Sequence, residues 1–490
     1  MKDYLSPLEL LHPDGVARRW LAVGGNRPEL LLPAGEAEPI GSVDLALLAP
    51  TADESTARGW LERAVESCVE RLDVDGFLYV LAAPRARATI RGRLRRFGLV
   101  VEPPFAHIPS WNSSQYLLPL ASPPAGFAFA RVIQTKRWKR NVGLALARMP
   151  GGLQLIGAAF PSVGLAARRR DGRPLFDWLT PRGTMANEKR SAFIRTSWRG
   201  REGAVVVYGF SGSDRSPSIV AKASLTTAFD PADESMILRD IGRSARAAGA
   251  RVPQPVELKR LGGRSVLLET PVLGSALAVV LGSRPDRVAN LLGQVVRWLE
   301  AWNDATVKRA PLSDAQLQRD VLSPAAFLAP LLERGEEYRI RLARLCADVA
   351  GTTVPLVDTH NDLTMWNVVT DEQDRLGVLD WEGARRHDLP FLDFFYATTD
   401  AWAALRKYDD RLAAFEACFG DAGEPPSVVS RLREHLVRAM DVPLPVVELC
   451  LHACWLRHAE KECRSRGRAA DPAFLEIVQS LALRRPAVPR

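Results

Sequence analysis

His360, Asp362 and Asn367 fall in the stretch His-Asn-Asp-Leu-Thr-Met-Trp-Asn, and Val378-Leu379-Asp380-Trp381-Glu382 follows shortly after. Phosphoryl transfer needs such a set. One carboxylate orients and deprotonates an attacking hydroxyl, while a side-chain amide oxygen and a second carboxylate hold magnesium against the phosphates of a nucleotide. Asp362, Asn367 and Asp380 are those three groups. Because this chemistry depends on positioning, the elements around the three residues matter as much as the residues themselves.

The spacing supplies the positioning. Asp362 and Asn367 lie five positions apart, so a short loop presents both side chains to one small volume, and Leu363, Met365 and Trp366 are expected to anchor that loop from below. Val368-Val369 and Gly377-Val378-Leu379 are two apolar runs separated by the polar Thr370–Arg375, which reads as a hairpin. Asp380 ends its second strand and so returns to the side where Asn367 points. Two ligands of one hard cation require that geometry.

The pattern His-x-Asp-x-x-x-x-Asn, followed by an apolar strand ending in Asp, resembles the aminoglycoside phosphotransferase family, which has a protein-kinase-like fold. The run from Asp380-Trp381-Glu382 to Asp388-Leu389-Pro390-Phe391-Leu392-Asp393 is similar to a branch of bacterial small-molecule or sugar kinases. Eukaryotic protein kinases are less similar, with Arg at the Asn361 position and Phe-Gly where Trp381-Glu382 stands. The family itself usually has Gly at the Asn361 position.

The resemblance runs from about Leu175 to the C-terminus and implies further roles. Lys222, in the apolar strand Ser218–Ala223, would steady the nucleotide phosphates. Glu234 would pair with it from a helix opened by the capping Asp230 and by Pro231, with Asp233 as its rival. Main-chain groups from Glu269 through Pro271 to Val272, at a hinge between lobes, would take the purine. Glycine lets amides approach phosphate oxygens, so the covering loop is assigned to Gly183–Asn187. That segment precedes two apolar strands, Ser191–Ser197 and Ala204–Phe210, whereas the rival Tyr208–Ser213 reads as a hairpin turn. His360 would brace the catalytic loop. ATP and Mg2+ are the implied nucleotide and metal, with GTP not distinguished.

Helical periodicity fills the rest of this region. Val288, Leu291, Leu292, Val295, Trp298, Leu299 and Trp302 recur at helical spacing, and further helices are expected at 324–332, 337–349, 409–419, 428–440 and 444–463. The expected fold class is therefore an α+β two-lobed kinase-like fold, with a small β-rich N-lobe (175–274) and an α-rich C-lobe (275–490), preceded by an α/β Rossmann-like domain (1–125). In that first domain Val43–Leu48, Gly76–Leu81, Val100–Glu102 and Gln115–Leu120 read as strands alternating with helical Ala57–Leu72 and Ala88–Phe97. The order resembles the second half of a class I methyltransferase. A cofactor turn is not evident, since Gly24-Gly25 leads into Asn26-Arg27-Pro28 rather than a helix, so a degenerate domain used for packing or for binding a protein partner is the expectation.

Residues 126–174 read as a basic connecting segment, with Lys136, Arg137, Lys139 and Arg140 around Trp138 and with Arg168–Arg170. Basic residues around an aromatic suit nucleic acid or an anionic membrane surface, and more commonly form a solvated face, so a nucleic-acid partner is not expected. The formal charge of +8 over 490 residues is compatible with anionic nucleotides. With 47% apolar and 25% charged residues, the composition is that of a globular protein too long for one core. No apolar run approaches a membrane span and the N-terminal residues lack a signal-peptide core, which gives a cytoplasmic expectation. Cys450, Cys454 and His458 repeat at four-residue spacing; one helix face is a poor tetrahedral cage, so packing is favoured over a metal. No Gly-x-Ser-x-Gly or His-Glu-x-x-His motif supports a hydrolase.

The function these residues imply is phosphoryl transfer from ATP to a hydroxyl of a small molecule, such as a sugar, a glycan precursor or an aminoglycoside. Acidic residues such as Glu382 and Asp388 could meet a polyol or cationic acceptor, and Asp388 and Asp393 could equally be structural. Two alternatives stand beside it: a non-catalytic kinase-like scaffold, and an S-adenosylmethionine-dependent methyltransferase in the N-terminal domain.

Overall fold

The computed structural model describes residues 8–15, 19–23, 36–37, 42–49, 59–83, 86–108, 115–132, 137–158, 163–182, 190–196, 204–211, 216–224, 230–261, 263–420, 425–466 and 473–484. Two compact units divide the chain. One comprises Met1–Met236 with Gln254–Pro271, and the other Ile237–Pro253 with Val272–Arg490.

The first unit is organised by a single mixed sheet. Strands β1 (Arg19–Val23), β2 (Glu36–Ala37), β3 (Val43–Leu48) and β4 (Leu72–Ala82) run parallel in the order β2-β1-β3-β4. Strands β5 (Val100–Val101), β6 (Phe105–Ile108), β7 (Tyr116–Pro119) and β8 (Val163–Arg168) extend it antiparallel, with β8 beside β4 and β6 joining β8 to β7. The sheet then continues through β9 (Arg190–Arg195), β10 (Ala204–Ser211) and β11 (Ile219–Ser224). Last come β12 (Pro255–Leu261) and β13 (Arg264–Glu269), in the order β9-β10-β11-β13-β12.

Strand periodicity explains why this sheet is buried on both faces. Leu45, Leu47, Phe77 and Tyr79 enter one core, while the alternating Ala46, Leu48, Leu78 and Val80 enter another. The first of these cores also takes Ile194, Val205, Val207, Ala221 and Leu268, so the early strands and the β-rich lobe share one apolar layer. Pairing of Leu117 in β7 with Ile194 in β9 makes the join, and it covers what would otherwise be two exposed edges. Within 126–174 the chain forms helices at Pro123–Val132, Arg137–Arg148 and Gly152–Ala158 as well as β8, so this stretch carries structure of its own. Sequence reading found β3, β4, β5 and β7, and missed β1, β2, β6 and β8.

The second unit is rich in helices around two small sheets. Strands β14 (Ser275–Ala276), β15 (Lys308–Pro311), β16 (Thr353–Thr359), β17 (Val368–Thr370), β18 (Leu376–Val378) and β19 (Arg385–Asp388) form the orders β14-β17-β18 and β15-β16-β19. The helix Val288–Thr306 matches its expected period, and Trp298 and Trp302 are core residues stacked at 5.1 Å. Helices at Gly335–Val349, Arg411–Phe419, Ser427–Met440 and Leu444–Arg466 agree with expectation to within a few residues. The helix Leu392–Leu405 was not expected, because nearly every position in it is buried and no amphipathic stripe marks it. Among the described residues no single helix is long and apolar enough to cross a membrane.

Candidate active site

The loop from His360 to Asn367 leaves β16 and enters β17, and Asp380 follows β18, so both small sheets pin its ends. The hairpin forms as expected, with Val368 opposite Val378 and Thr370 opposite Leu376. One rung beyond, the Leu379 N–H donates to the Asn367 carbonyl at 2.8 Å, which sets Asn367 and Asp380 side by side at the open end. Asp380 itself has φ 65°, a left-handed conformation that turns the chain sharply out of the strand. Such a conformation in a non-glycine residue costs about 1–3 kcal/mol and is tolerated where the surroundings over-determine it.

Hydrogen bonds fix each side chain. The amide nitrogen of Asn367 donates to the Asp362 carbonyl at 2.9 Å and to Asp362 Oδ2 at 3.2 Å. Its amide oxygen is thereby directed away from Asp362 and has no hydrogen bond among the described residues. The fully buried His360 receives the Asp362 N–H on Nδ1 at 3.3 Å. With Nδ1 accepting, Nε2 carries the proton and donates to the Leu379 carbonyl at 2.9 Å. His360 thus ties the loop to the strand that ends at Asp380, and its ring packs edge-on to the buried Trp381 at 4.8 Å.

Asn361 explains a departure from the family pattern. Its φ is 61°, a region that Gly enters freely and Asn tolerates. Unlike glycine, it adds a side chain whose amide donates to Thr359 Oγ1, the Gly383 carbonyl and Asp388 Oδ2 at 2.9, 3.2 and 3.3 Å.

Burial in the loop, and then the nearby Asp380 charge, push the Asp362 carboxyl up to about 7. Lys461 opposes that rise, while Asp400 and Glu382 add to it. A carboxylate tuned toward neutrality suits a group that must take a proton near pH 7.

The donor set fits a magnesium ion. Asn367 and Asp380 offer hard oxygen atoms from adjacent positions. Among the described residues no group of three or more His, Cys, Asp or Glu gathers into a metal cage. Magnesium holds most of its shell as water and substrate phosphate, so two protein ligands are the expected number for it.

In the other unit, Lys222 sits in β11 with its Nζ 2.5 Å from Glu234 Oε1, and both side chains are almost completely buried. Asp233, the rival, is exposed. Asp230 caps the helix Pro231–Ala247 by accepting the Ala232 N–H at 2.9 Å. Glu269 ends β13, and the division between the two units falls between Pro271 and Val272. Gly183 and Asn187 lie outside the described residues.

One expectation needs correction, and two that the sequence weighed between alternatives are resolved. Trp366 does not anchor the loop: Leu363 and Met365 are fully buried, but Trp366 is 43% exposed. Alternate positions of an irregular loop cannot all face the core, and here the third apolar residue turns outward. Of the two roles open to Asp388, the structural one fits its place: it is buried in a bidentate pair with Arg457 at 3.1 and 2.8 Å. Cys450 and Cys454 are buried, the Cys454 thiol donates to the Leu392 carbonyl, and the His458 ring stacks on Tyr396 at 3.9 Å.

Two residues support the loop: Asp393, for which the sequence left a structural role open, and Asp400, which it missed. Asp393 accepts the His360 N–H at 2.6 Å and the Asn361 N–H at 2.8 Å, and burial still pushes its carboxyl up to about 6. Asp400 accepts the Met365 N–H at 2.7 Å and pairs with Arg411 at 3.1 Å. They lie on one helix seven residues apart, two turns along the same face. Two acids on one stripe of an otherwise apolar run were the available signal.

Known proteins share part of this chain's sequence pattern. Residues 214–425 match the model of the phosphotransferase enzyme family. No curated protein matches the chain. Among solved structures, the chain is similar to an aminoglycoside phosphotransferase from Streptomyces rimosus in complex with ADP and streptomycin. That likeness has 16% identity and a TM-score of 0.31, covering 51% of this chain and 88% of that one. A macrolide 2'-phosphotransferase from Brachybacterium faecium shows 19% identity and a TM-score of 0.33, over 61% of this chain and 93% of its own. A putative fructosamine-3-kinase from Haemophilus somnus shows 10% identity and a TM-score of 0.33, over 60% of this chain and 90% of its own.

Proposed function

We propose that this phosphotransferase-family chain transfers the γ-phosphoryl group of ATP to a hydroxyl of a small molecule. The observation that carries the reading is the arrangement of Asp362, Asn367 and Asp380 at the open end of one hairpin. Asn367 holds Asp362 Oδ2 through its amide nitrogen, which leaves Oδ1 to receive a proton.

Each residue then has a task. Asp362 orients the acceptor hydroxyl and takes its proton as the acceptor oxygen bonds to the γ-phosphorus and the bond from that phosphorus to the ADP oxygen breaks. Asn367 and Asp380 would hold Mg2+, which when bound neutralises charge on the nucleotide phosphates. Lys222, oriented by Glu234, steadies those phosphates. Main-chain groups from Glu269 through Pro271 to Val272 take the purine, and Gly183 to Asn187 cover the phosphates. His360, Asn361, Asp393 and Asp400 bind no substrate. They hold the loop backbone so that Asp362 does not need to reorganise during the reaction.

Four parallel strands followed by antiparallel ones support reading the N-terminal region as a Rossmann-like sheet used for packing or a protein partner. The cytoplasm is the compartment we assign. The test is ADP release dependent on an added acceptor, across sugars, amino alcohols and aminoglycosides with Mg-ATP. Thermal shift by Mg-ATP with none by S-adenosylmethionine is the companion measurement. No shift with any nucleotide would overturn this reading.

A further inference from the structure

Arg457 takes no part in the chemistry proposed above, yet it is the cation at the far end of a chain of bonds that starts beside the base. It stands on the helix Leu444–Arg466, distant in sequence from Asp362. Its guanidinium meets Asp388 bidentately, with side-chain exposures of 13% and 1%. A planar fork on a carboxylate fixes direction as well as distance. Asp320, a second buried carboxylate whose charge acts on Arg457, is paired with Arg319 at 2.6 Å and with Arg385 at 3.7 Å, so it has counter-charges of its own.

From Asp388 the bonds run to the loop. Its Oδ2, which takes the shorter of the two arginine contacts, also accepts the Thr359 hydroxyl at 3.1 Å and the Asn361 amide at 3.3 Å. The Asn361 amide reaches Thr359 Oγ1 as well, at 2.9 Å. Two routes therefore join Arg457 to Asn361, and Asn361 is the residue immediately before the base. Its backbone is held at φ 61°, a conformation that a non-glycine residue keeps only where its surroundings over-determine it. The same guanidinium acts on Asp393, which accepts the His360 and Asn361 N–H groups: burial pushes that carboxyl up to about 6, and the Arg457 charge opposes the rise.

We propose that Arg457 is a positioning residue for the base, acting through Asp388 and the Asn361 side chain to fix the conformation from which Asp362 takes the acceptor proton. This rests on the phosphotransferase reading and adds to it a residue of the helix Leu444–Arg466. Desolvation offsets most of the attraction in a buried ion pair, so what this one supplies is direction rather than net stability. Asn361 stands where the family pattern usually has glycine, which has no side chain to bond, so the link to Asp388 is this sequence's own.

The test is a double-mutant cycle in the full chain between Arg457→Met and Asn361→Gly, the second of which removes the link and permits the same backbone. Turnover is followed as ADP release from Mg-ATP with glucose, ethanolamine and streptomycin as acceptor probes, using the one that the parent turns over fastest. Arg457→Met should lower kcat about 10–100-fold and leave the KM for ATP within a factor of about two, because a misplaced base costs rate rather than nucleotide affinity. In the Asn361→Gly background the same substitution should lower kcat by less than about threefold. If Arg457→Met does not fold, Arg457→Lys, which keeps the charge and loses the fork, enters the same cycle. Arg341→Met is the stability control: this guanidinium donates to the Leu481 and Arg484 carbonyls, and its loss should lower the urea midpoint while kcat stays within a factor of about two.

Independently of turnover, the Asn361 side-chain amide resonance, assigned by its loss in Asn361→Gly, should shift in the Arg457 variant and stay in place in Arg341→Met. Parental kcat in the Arg457 variant, a fall of equal size in both backgrounds, or an unmoved Asn361 resonance would each overturn the proposal. A resonance that responds to Arg457 in a protein that never releases ADP would uphold the positioning link and refute the phosphotransferase reading alone.

Discussion

Removing Glu234 from its pair with Lys222 separates what the pair does for stability from what it does for function. The two charges meet at 2.5 Å with side-chain exposures of 10% and 1%. In β11, Lys222 points to the face opposite Ala221 and Ala223, which belong to the shared core. Glu234→Leu strands an ammonium in that nearly dry site and should cost about 3–5 kcal/mol, as should Lys222→Met, which strands the carboxylate. The double variant Lys222→Met, Glu234→Leu replaces both charges with apolar groups of similar size. It should return to within about 1 kcal/mol of the parent, or exceed it, because the desolvation cost of the pair offsets most of its attraction. Urea midpoints at constant slope supply the comparison, and acceptor-dependent ADP release from Mg-ATP supplies the functional readout. All three variants should lose most of their turnover, including the one that is as stable as the parent. A double variant destabilised by the sum of the two singles would refute the energetic argument, and one with parental turnover would refute the role of Lys222.

Other outcomes follow from the loop. Asp362→Asn keeps the shape and removes the base, so turnover should fall by about 10²–10⁴ while the thermal shift by Mg-ATP remains. Asn361→Val forces a β-branched residue to φ 61° and deletes three hydrogen bonds, and should cost more than Asn361→Gly, which keeps the conformation; thermal denaturation of the two variants ranks them. Burial works to raise the Asp388 carboxyl, but the Arg457 charge and hydrogen bonds outweigh it and hold Asp388 below the usual carboxylate range. Its folded value is therefore depressed, so its contribution is present in full above the unfolded value near 4 and is lost as pH falls through the lower folded one. Urea midpoints of the parent should drop across that window, and Arg457→Met should lie lower at neutral pH with a shallower drop.

The hairpin of the candidate site was legible because its parts are local: Asp362, Asn367 and Asp380 are tied by a loop, two short strands and polar turn residues that a single sequence displays. Lys222 and Glu234 were legible for a similar reason, with a lone cation in an apolar strand followed by an Asp-Pro helix start. What holds the loop was less visible. Asp393 and Asp400 act from a helix buried on all sides, where no amphipathic period distinguishes helix from strand. The outward turn of Trp366 depends on a tyrosine more than forty positions away, a pairing that sequence spacing does not carry. The union of the early strands with the β-rich lobe depends on Leu117 meeting Ile194 across distant segments, which is a property of edges rather than of composition.

The central claim is that Asp362 serves transfer of a phosphoryl group from ATP to a hydroxyl. It is tested most directly by incubating the full chain with γ-labelled ATP, magnesium and a panel of neutral sugars and aminoglycosides, and following the label into product. The account predicts a labelled phosphate ester with at least one hydroxyl acceptor, formed by the parent and all but lost in Asp362→Ala. Full labelling by Asp362→Ala, or no labelled ester with any acceptor from a protein that binds Mg-ATP, would contradict it.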